Sequence, residues 1–134
     1  MFNMTPELTY AALAILLAVV QIFLPATGRT LQHGPKWNAG PRDGEAPPPG
    51  KLAGRLIRAQ ANLFETLPLF AAAVIMAHIA GKDGQLLTLV GTHLYFFGRL
   101  IYLPLYAFGT PYVRTLAWLV AFAGLLMVLA ALFV

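Results

Sequence analysis

Four long apolar segments constrain the fold of this chain more than any other feature of its sequence. A transmembrane helix needs about 20 predominantly apolar residues, and each segment is close to that length. The last one, LAWLVAFAGLLMVLAALFV, contains no charged residue. Hydrophobic residues make up 59% of the chain and charged residues only 10%, whereas soluble domains are roughly a quarter charged. The sequence therefore predicts an all-α integral membrane protein.

Helix boundaries are indicated by capping residues. Thr5 before Pro6 and Thr110 before Pro111 are typical of helix starts, because threonine caps the first turn and proline is tolerated in it. An even number of helices with mostly short connections favours an up-down four-helix bundle. We predict helices at residues 5–27, 52–80, 85–108 and 111–133, within a single transmembrane domain of residues 1–134.

Positive charge lies mainly in the connections, and the formal net charge is +4. Such charge sets membrane topology and meets anionic headgroups, so we expect membrane lipids and no nucleic acid as partners. The cytoplasmic loop of residues 28–51 is basic and rich in proline and glycine. We predict no regular structure there beyond a continuation of the first helix. The third connection is also basic. Because basic connections stay in the cytoplasm, we predict the first and third connections in the cytoplasm and both termini on the outer side, in a bacterial inner membrane or a microsomal membrane.

The second predicted helix carries several polar residues into its apolar region. In RLIRAQANLFETLPLF, Arg58, Asn62 and Glu65 are spaced i, i+4 and i+7, so they share one helical face. Ionisable groups at membrane depth are costly and normally face a bundle interior or a watery cavity. The spacing therefore predicts that this face lines a functional site.

The third predicted helix has a matching stripe, with Arg99, Tyr102 and Tyr106 at i, i+3 and i+7. In an up-down bundle this stripe, Arg114 and the start of the second helix lie at one membrane side. Arginines pair with carboxylates, a glutamate binds an ammonium group, and tyrosine adds a hydroxyl on an apolar ring. The pattern predicts a site for a small zwitterionic or polyanionic ligand, beside a lipid-facing surface that admits an apolar molecule.

A structural interpretation of the same residues remains open from the sequence. Glu65 and Arg99 could neutralise each other, while the other arginines snorkel to headgroups and the tyrosines form an aromatic belt. The three histidines share no metal-ligand spacing and the chain has no cysteine, so we predict no metal site. Trp118 is interpreted as an ordinary packing or interfacial residue.

The segment RAQANLFETLPLF resembles the signature RAQxNxxExxPLF of the MAPEG superfamily, the membrane-associated proteins in eicosanoid and glutathione metabolism. The similarity is strongest to the branch that holds the leukotriene-forming synthase and the microsomal glutathione transferases. It continues with FFGRLIYLPLY and with Arg114, and it covers about residues 52–134. The resemblance implies a four-helix bundle that assembles as a homotrimer and binds glutathione between subunits at the cytoplasmic side.

The resemblance also implies individual roles. Arg114 resembles the arginine that stabilises the glutathione thiolate, for addition to a lipophilic electrophile or reduction of a lipid hydroperoxide. This agrees with the chemistry of thiols, whose pKa of about 8.5 is lowered by an adjacent guanidinium. Arg29, at the end of the first helix, is a weaker candidate for a ligand carboxylate. The positions implied to contact glutathione are Arg58, Asn62, Glu65, Arg99, Tyr102, Tyr106 and Arg29.

Other functions stay open at this stage. The spacing from Tyr106 to Arg114 differs by a residue or so from some enzymes of the family, which bears on whether Arg114 reaches the sulfur. Some relatives keep the bundle but bind lipids or act as scaffolds without catalysis. A small proton-coupled multidrug exporter, with Glu65 as proton carrier, is a further alternative. The cationic and tyrosine stripes argue against it, because they favour anionic ligands.

Overall fold

The computed structural model describes residues 3–44 and 48–134, and within these ranges it contains helices and no strand. Four of the helices are long and apolar enough to cross a membrane. This confirms the predicted all-α class and the prediction of an integral membrane protein. The helices are α1 Pro6–His33, α2 Pro35–Ala39, α3 Lys51–Ile79, α4 Leu86–Ala107 and α5 Val113–Ala131.

The first helix continues into the connection that follows it. The sequence predicted a helix at residues 5–27 with a continuation beyond it, and α1 runs past Pro25 to His33, where Gly34 ends it with φ +87°. A proline removes one backbone donor without necessarily ending a membrane helix. The short helix α2 follows at once, and the His33 and Trp37 rings lie 4.7 Å apart. The loop predicted at residues 28–51 therefore begins with helical structure.

The two predicted helix starts behave differently. At α1, the Thr5 hydroxyl oxygen accepts a hydrogen bond from the Leu8 amide at 3.2 Å, which confirms the predicted cap. At α5, the residue before the helix is Tyr112, whose side chain makes no capping bond. The prediction of a cap at Thr110 was wrong, because the chain makes a turn around Gly109 and Thr110 before α5 begins.

Helices α3 and α4 lie between α1 and α5, and the contact of α4 with α5 is the most extensive in the bundle. Gly91 and Gly124 make this close approach possible. A Cβ atom on Gly124 would lie 2.4 Å from the Gly91 carbonyl oxygen, so only glycine fits there. Small residues at helix contacts are the usual device for close packing in membranes. The two backbones therefore touch directly.

Contacts between helix ends show the direction of each span. Glu7 at the start of α1 accepts a hydrogen bond from Gly84, just before α4. Arg55 near the start of α3 donates to the carbonyl of Ala107 at the end of α4. Successive long helices therefore run in opposite directions. We call the end with residues 28–51 and the α4–α5 turn the basic end, and the other the Glu7 end.

Candidate ligand-binding site

Arg99 is the central residue of the candidate site. Its side chain is only 2% exposed, although it lies within the membrane-spanning part of α4. Its Nη1 atom donates to the Asn62 side-chain oxygen at 2.7 Å, and its guanidinium carbon lies 4.3 Å from the centre of the Tyr102 ring. Among the described residues, its Nε and Nη2 atoms have no hydrogen-bond partner. A buried cation in this state calls for an acceptor from outside the chain.

Glu65 does not supply that acceptor within one chain. Its side chain is exposed on α3, and the ion pair found among the described residues joins His78 and Asp83 instead. Among the described residues, Glu65 and Arg99 thus form no direct ion pair within the single chain. An exposed carboxylate within a membrane span is itself costly, so Glu65 is expected to face a ligand or another protein surface.

Tyr106 lies between two guanidinium groups. Its hydroxyl accepts a hydrogen bond from Nε of Arg58 at 3.2 Å, and the guanidinium carbon of Arg114 lies 4.4 Å from its ring centre. The Tyr102 and Tyr106 rings are 5.5 Å apart. Cation–π contacts of this kind hold arginines in place without neutralising them. The structure thus joins α3, α4 and α5 through one aromatic side chain at the basic end.

A cleft of about 400 Å³ opens beside these residues. Arg99 lies behind its wall, where it holds Asn62 and contacts Tyr102. The structure therefore brings most of the sequence-predicted stripe of α4 and one member of the α3 stripe to a single cavity. The cleft is lined by Asn62, Tyr102, Tyr106, Arg114, Thr115 and Trp118.

Two other arginines at the basic end have different surroundings. Arg29 on α1 does not line the cleft, and its half-buried side chain leaves Nε without a partner in the described part of the chain. Arg55 lies against Gly109, whose φ is +71°, and its Nη1 atom is 3.4 Å from the Ala107 carbonyl oxygen. Arg55 thus stabilises the end of α4, whereas Arg114 lines the cleft and Arg58 bonds to the Tyr106 hydroxyl of its lining.

Thr115 and Trp118 line the cleft although the sequence reasoning did not include them. Thr115 follows Arg114, and Trp118 lies one helical turn further along the same helix. The i, i+4 spacing from Arg114 to Trp118 was the available signal, but Trp118 was interpreted as a packing residue. Its ring is nearly parallel to that of Phe122, with an interplanar angle of 8° and ring centres 5.0 Å apart.

The histidines lie in other surroundings. The His78 ring contacts the Asp83 carboxylate at the Glu7 end. The His93 ring lies 4.2 Å from that of Tyr10, on the contact between α1 and α4. In the ranges that the structure describes, no three histidine, aspartate or glutamate side chains are grouped so that they could hold a metal ion. The chemistry of the cleft is therefore that of guanidinium, amide and hydroxyl groups.

The charges of the site are complementary to an anionic ligand. Guanidinium groups in a water-poor cavity pair strongly with carboxylates and thiolates, because few water molecules compete for them. Asn62 and the tyrosine hydroxyls can orient peptide groups. The chain contains no cysteine, and the lining residues of the cleft include no histidine or carboxylate beside Thr115.

Comparison with known proteins supports the resemblance seen in the sequence. The family model described as MAPEG family matches residues 8–134. Comparison with curated proteins gave no match. The family match also includes α1, for which the sequence motifs gave no specific signal. Because the match extends over nearly the whole length and agrees with the four membrane helices, the chain belongs to the MAPEG family.

Proposed function

We propose that this protein is a membrane-bound, glutathione-dependent transferase or peroxidase that acts on lipophilic electrophiles or lipid hydroperoxides. Membership of the family supports glutathione as the ligand. The observation that carries the proposal is the buried Arg99, which has two unpartnered nitrogens and contacts Asn62 and Tyr102 in the lining of the cleft. A tripeptide with two carboxylates and one ammonium group supplies the charges that this set of residues lacks.

The residues around the cleft would divide the work of binding. Arg99 and Arg58 attract carboxylates, and Asn62 orients a peptide group through hydrogen bonds. Glu65, exposed beside the site, binds the ammonium group. Arg29 is proposed as a further carboxylate contact from α1, outside the cleft of its own subunit. The proposed binding residues are Arg58, Asn62, Glu65, Arg99, Tyr102, Tyr106 and Arg29.

Arg114 is the proposed catalytic residue. Its guanidinium rests on the Tyr106 ring at the cleft opening, so its charge is held in place without a carboxylate partner among the described residues. A fixed cation next to a thiol favours the thiolate and needs no rearrangement during the reaction. Bound glutathione supplies the thiol, which forms a bond to an electrophilic carbon or reduces a hydroperoxide to an alcohol, with a second glutathione completing the disulfide.

Assembly as a homotrimer with ligand between subunits is part of the proposal. Arg58 and Glu65 are both exposed on α3, although each lies in or beside a membrane-spanning segment. Exposed charges on such a helix are stabilised when they face a protein interface that contains a polar ligand. The basic end would then face the cytoplasm, with both termini on the opposite side.

Glutathione binding by calorimetry on detergent-purified protein tests this function. Wild-type protein should bind saturably, and Arg58→Ala and Glu65→Gln should each weaken binding by tenfold or more, roughly 1.4 kcal/mol. Lys36→Ala is a matched control, because it removes an exposed positive charge from α2 at the same end. If folded wild-type protein does not bind glutathione, the function is wrong. If it binds but shows no thiol-dependent reaction, catalysis is wrong and a binding or scaffold role remains.

A further inference from the structure

We propose that Trp118 and Phe122 form an aromatic surface that selects planar, conjugated electrophiles over straight-chain ones as the second substrate. The reaction in which such a molecule is consumed rests on the proposed glutathione function. Binding of the planar molecule at Trp118 is independent of that function, because an aromatic contact needs no part of glutathione. The two ideas can therefore fail separately.

The surface follows one face of α5. Arg114, Trp118 and Phe122 are spaced at i, i+4 and i+8, so they lie one above another along the helix. Arg114 is in the first turn, and the helix runs from there into the apolar part of the bundle. Trp118 is thus the first large apolar side chain on this face of α5 inward from Arg114, and it borders the same cleft.

The aromatic surface is held in a fixed orientation. Phe122 packs against the buried core of the bundle, so its position is set by the fold. Trp118 lies on it with an interplanar angle of 8°, and both side chains are half-buried. One side of the Trp118 ring system is therefore supported by Phe122, while the ring also borders the cleft. A flat ligand meets a surface that needs no rearrangement.

A planar, conjugated molecule gains more from this surface than an alkyl chain does. Burial of apolar area stabilises both molecules in proportion to the area removed from water. Aromatic rings gain additional stabilisation from offset stacking, which a flexible chain lacks. A chain also loses more conformational freedom when it is held against a flat surface. The arrangement therefore favours aromatic or conjugated electrophiles next to Arg114.

A conjugated enal illustrates the reaction at this site. The glutathione sulfur forms a bond to the β carbon, and the electron pair of the carbon–carbon double bond moves toward the carbonyl to give an enolate. A proton from solvent then adds to the α carbon, while the proton of the thiol is released to solvent. No oxidant or further reactant is needed. Trp118 takes part only by holding the conjugated system flat beside the reacting sulfur.

Fluorescence tests the surface without glutathione. The chain has two tryptophans, so Trp37→Phe leaves Trp118 as the fluorophore and Trp118→Phe leaves Trp37. Cinnamaldehyde and nonenal share the enal group and the carbon count but differ in planarity and conjugation. We expect cinnamaldehyde to quench Trp118 saturably and about five- to tenfold more tightly than nonenal. Equal affinities, or equal quenching of Trp37 through the micelle, would show that the inference is wrong.

Kinetics with glutathione tests selection during the reaction. In Trp118→Leu, kcat/KM for cinnamaldehyde should fall about tenfold, with less than about a threefold change for nonenal. Trp118→Phe, which keeps an aromatic ring, should retain the preference, and Trp37→Phe should match wild type. Equal losses for both enals in Trp118→Leu would reduce Trp118 to a packing residue. Saturable quenching of Trp118 without any enal turnover would leave the aromatic surface standing and show that the transferase function is wrong for these substrates.

Discussion

The two ends of the bundle treat buried charge in opposite ways. At the Glu7 end, Oε1 of the buried Glu7 carboxylate accepts hydrogen bonds from the Gly84 amide at 2.7 Å and the Thr88 hydroxyl at 2.8 Å, while its Oε2 has no partner in the described part of the chain. At the basic end, the equally buried Arg99 has one side-chain partner, Asn62, and two nitrogens without any in the described part of the chain. Glu7 bonds to the start of α4 through one of its oxygens, whereas Arg99 keeps two of its three guanidinium nitrogens unbonded among the described residues.

This difference distinguishes Glu7, whose charge stabilises the fold, from Arg99, whose charge we propose binds a ligand. Glu7 lies at the start of α4, where unpaired amides and the helix dipole favour a carboxylate. Gln85, which precedes α4, makes no side-chain capping bond, so Glu7 on α1 serves that helix instead. Arg99 contributes one side-chain hydrogen bond between α4 and α3, to Asn62. Removal of Glu7 should therefore affect mainly stability, whereas removal of Arg99 should affect ligand binding as well.

The largest effect is expected on binding, from Arg99→Ala. Removing the buried guanidinium should weaken glutathione binding by a hundredfold or more, about 3 kcal/mol, as for other buried charged contacts. The thermal unfolding midpoint should also fall, because the change empties a buried volume and removes the hydrogen bond to Asn62. Calorimetry and thermal unfolding of the same preparation check both parts. A large loss of stability with unchanged affinity would place Arg99 in the structural class with Glu7.

The next effect is expected on stability, from Glu7→Ala. The variant loses both hydrogen bonds to the start of α4, which should lower the free energy of unfolding by about 2 kcal/mol. Thermal unfolding in detergent measures the loss, and glutathione affinity should stay within about twofold of wild type. Asp43→Ala is the matched control, since it removes an exposed carboxylate from the connection and should leave the unfolding midpoint unchanged. Weakened binding in Glu7→Ala would mean that the two ends are coupled.

The smallest effect is expected from Tyr106→Phe. This change removes the hydroxyl that accepts from Arg58 but keeps the ring under Arg114. Loss of one hydrogen bond to a charged group should weaken glutathione binding about three- to tenfold, while the turnover of bound substrate stays close to wild type. Tyr10→Phe, on α1 toward the Glu7 end, serves as the control. A larger loss of turnover than of affinity would assign the hydroxyl a role in the reaction.

Spacing along single helices was enough to predict much of this arrangement. The i, i+3, i+7 stripe of Arg99, Tyr102 and Tyr106 reaches one region because these residues share a face of α4 whatever the helix packs against. The spacing along α3 also predicted that Asn62 lies on a face that lines the same site. Apolar length alone predicted the four membrane-spanning helices, since few other structures satisfy the backbone in lipid.

What the sequence could not predict depends on contacts between helices. Glu65 shares a face with Asn62 by spacing, yet it is exposed, because the rotation of α3 is set by packing against α1 and α4. Arg29 was expected near the site, but α1 continues beyond it and its side chain does not line the cleft. Trp118 borders the cleft because α5 packs closely against α4, a contact that spacing along a single helix does not specify.

The contact between Gly91 and Gly124 has a consequence for how a ligand is received. Because α4 and α5 touch through their backbones, the α4 tyrosines and Arg114 form a preassembled half of the site. The other half, with Arg58 and Glu65, sits on α3 and is exposed. The entropy lost on binding is therefore concentrated in the side chains of α3, while α4 and α5 act as a rigid template.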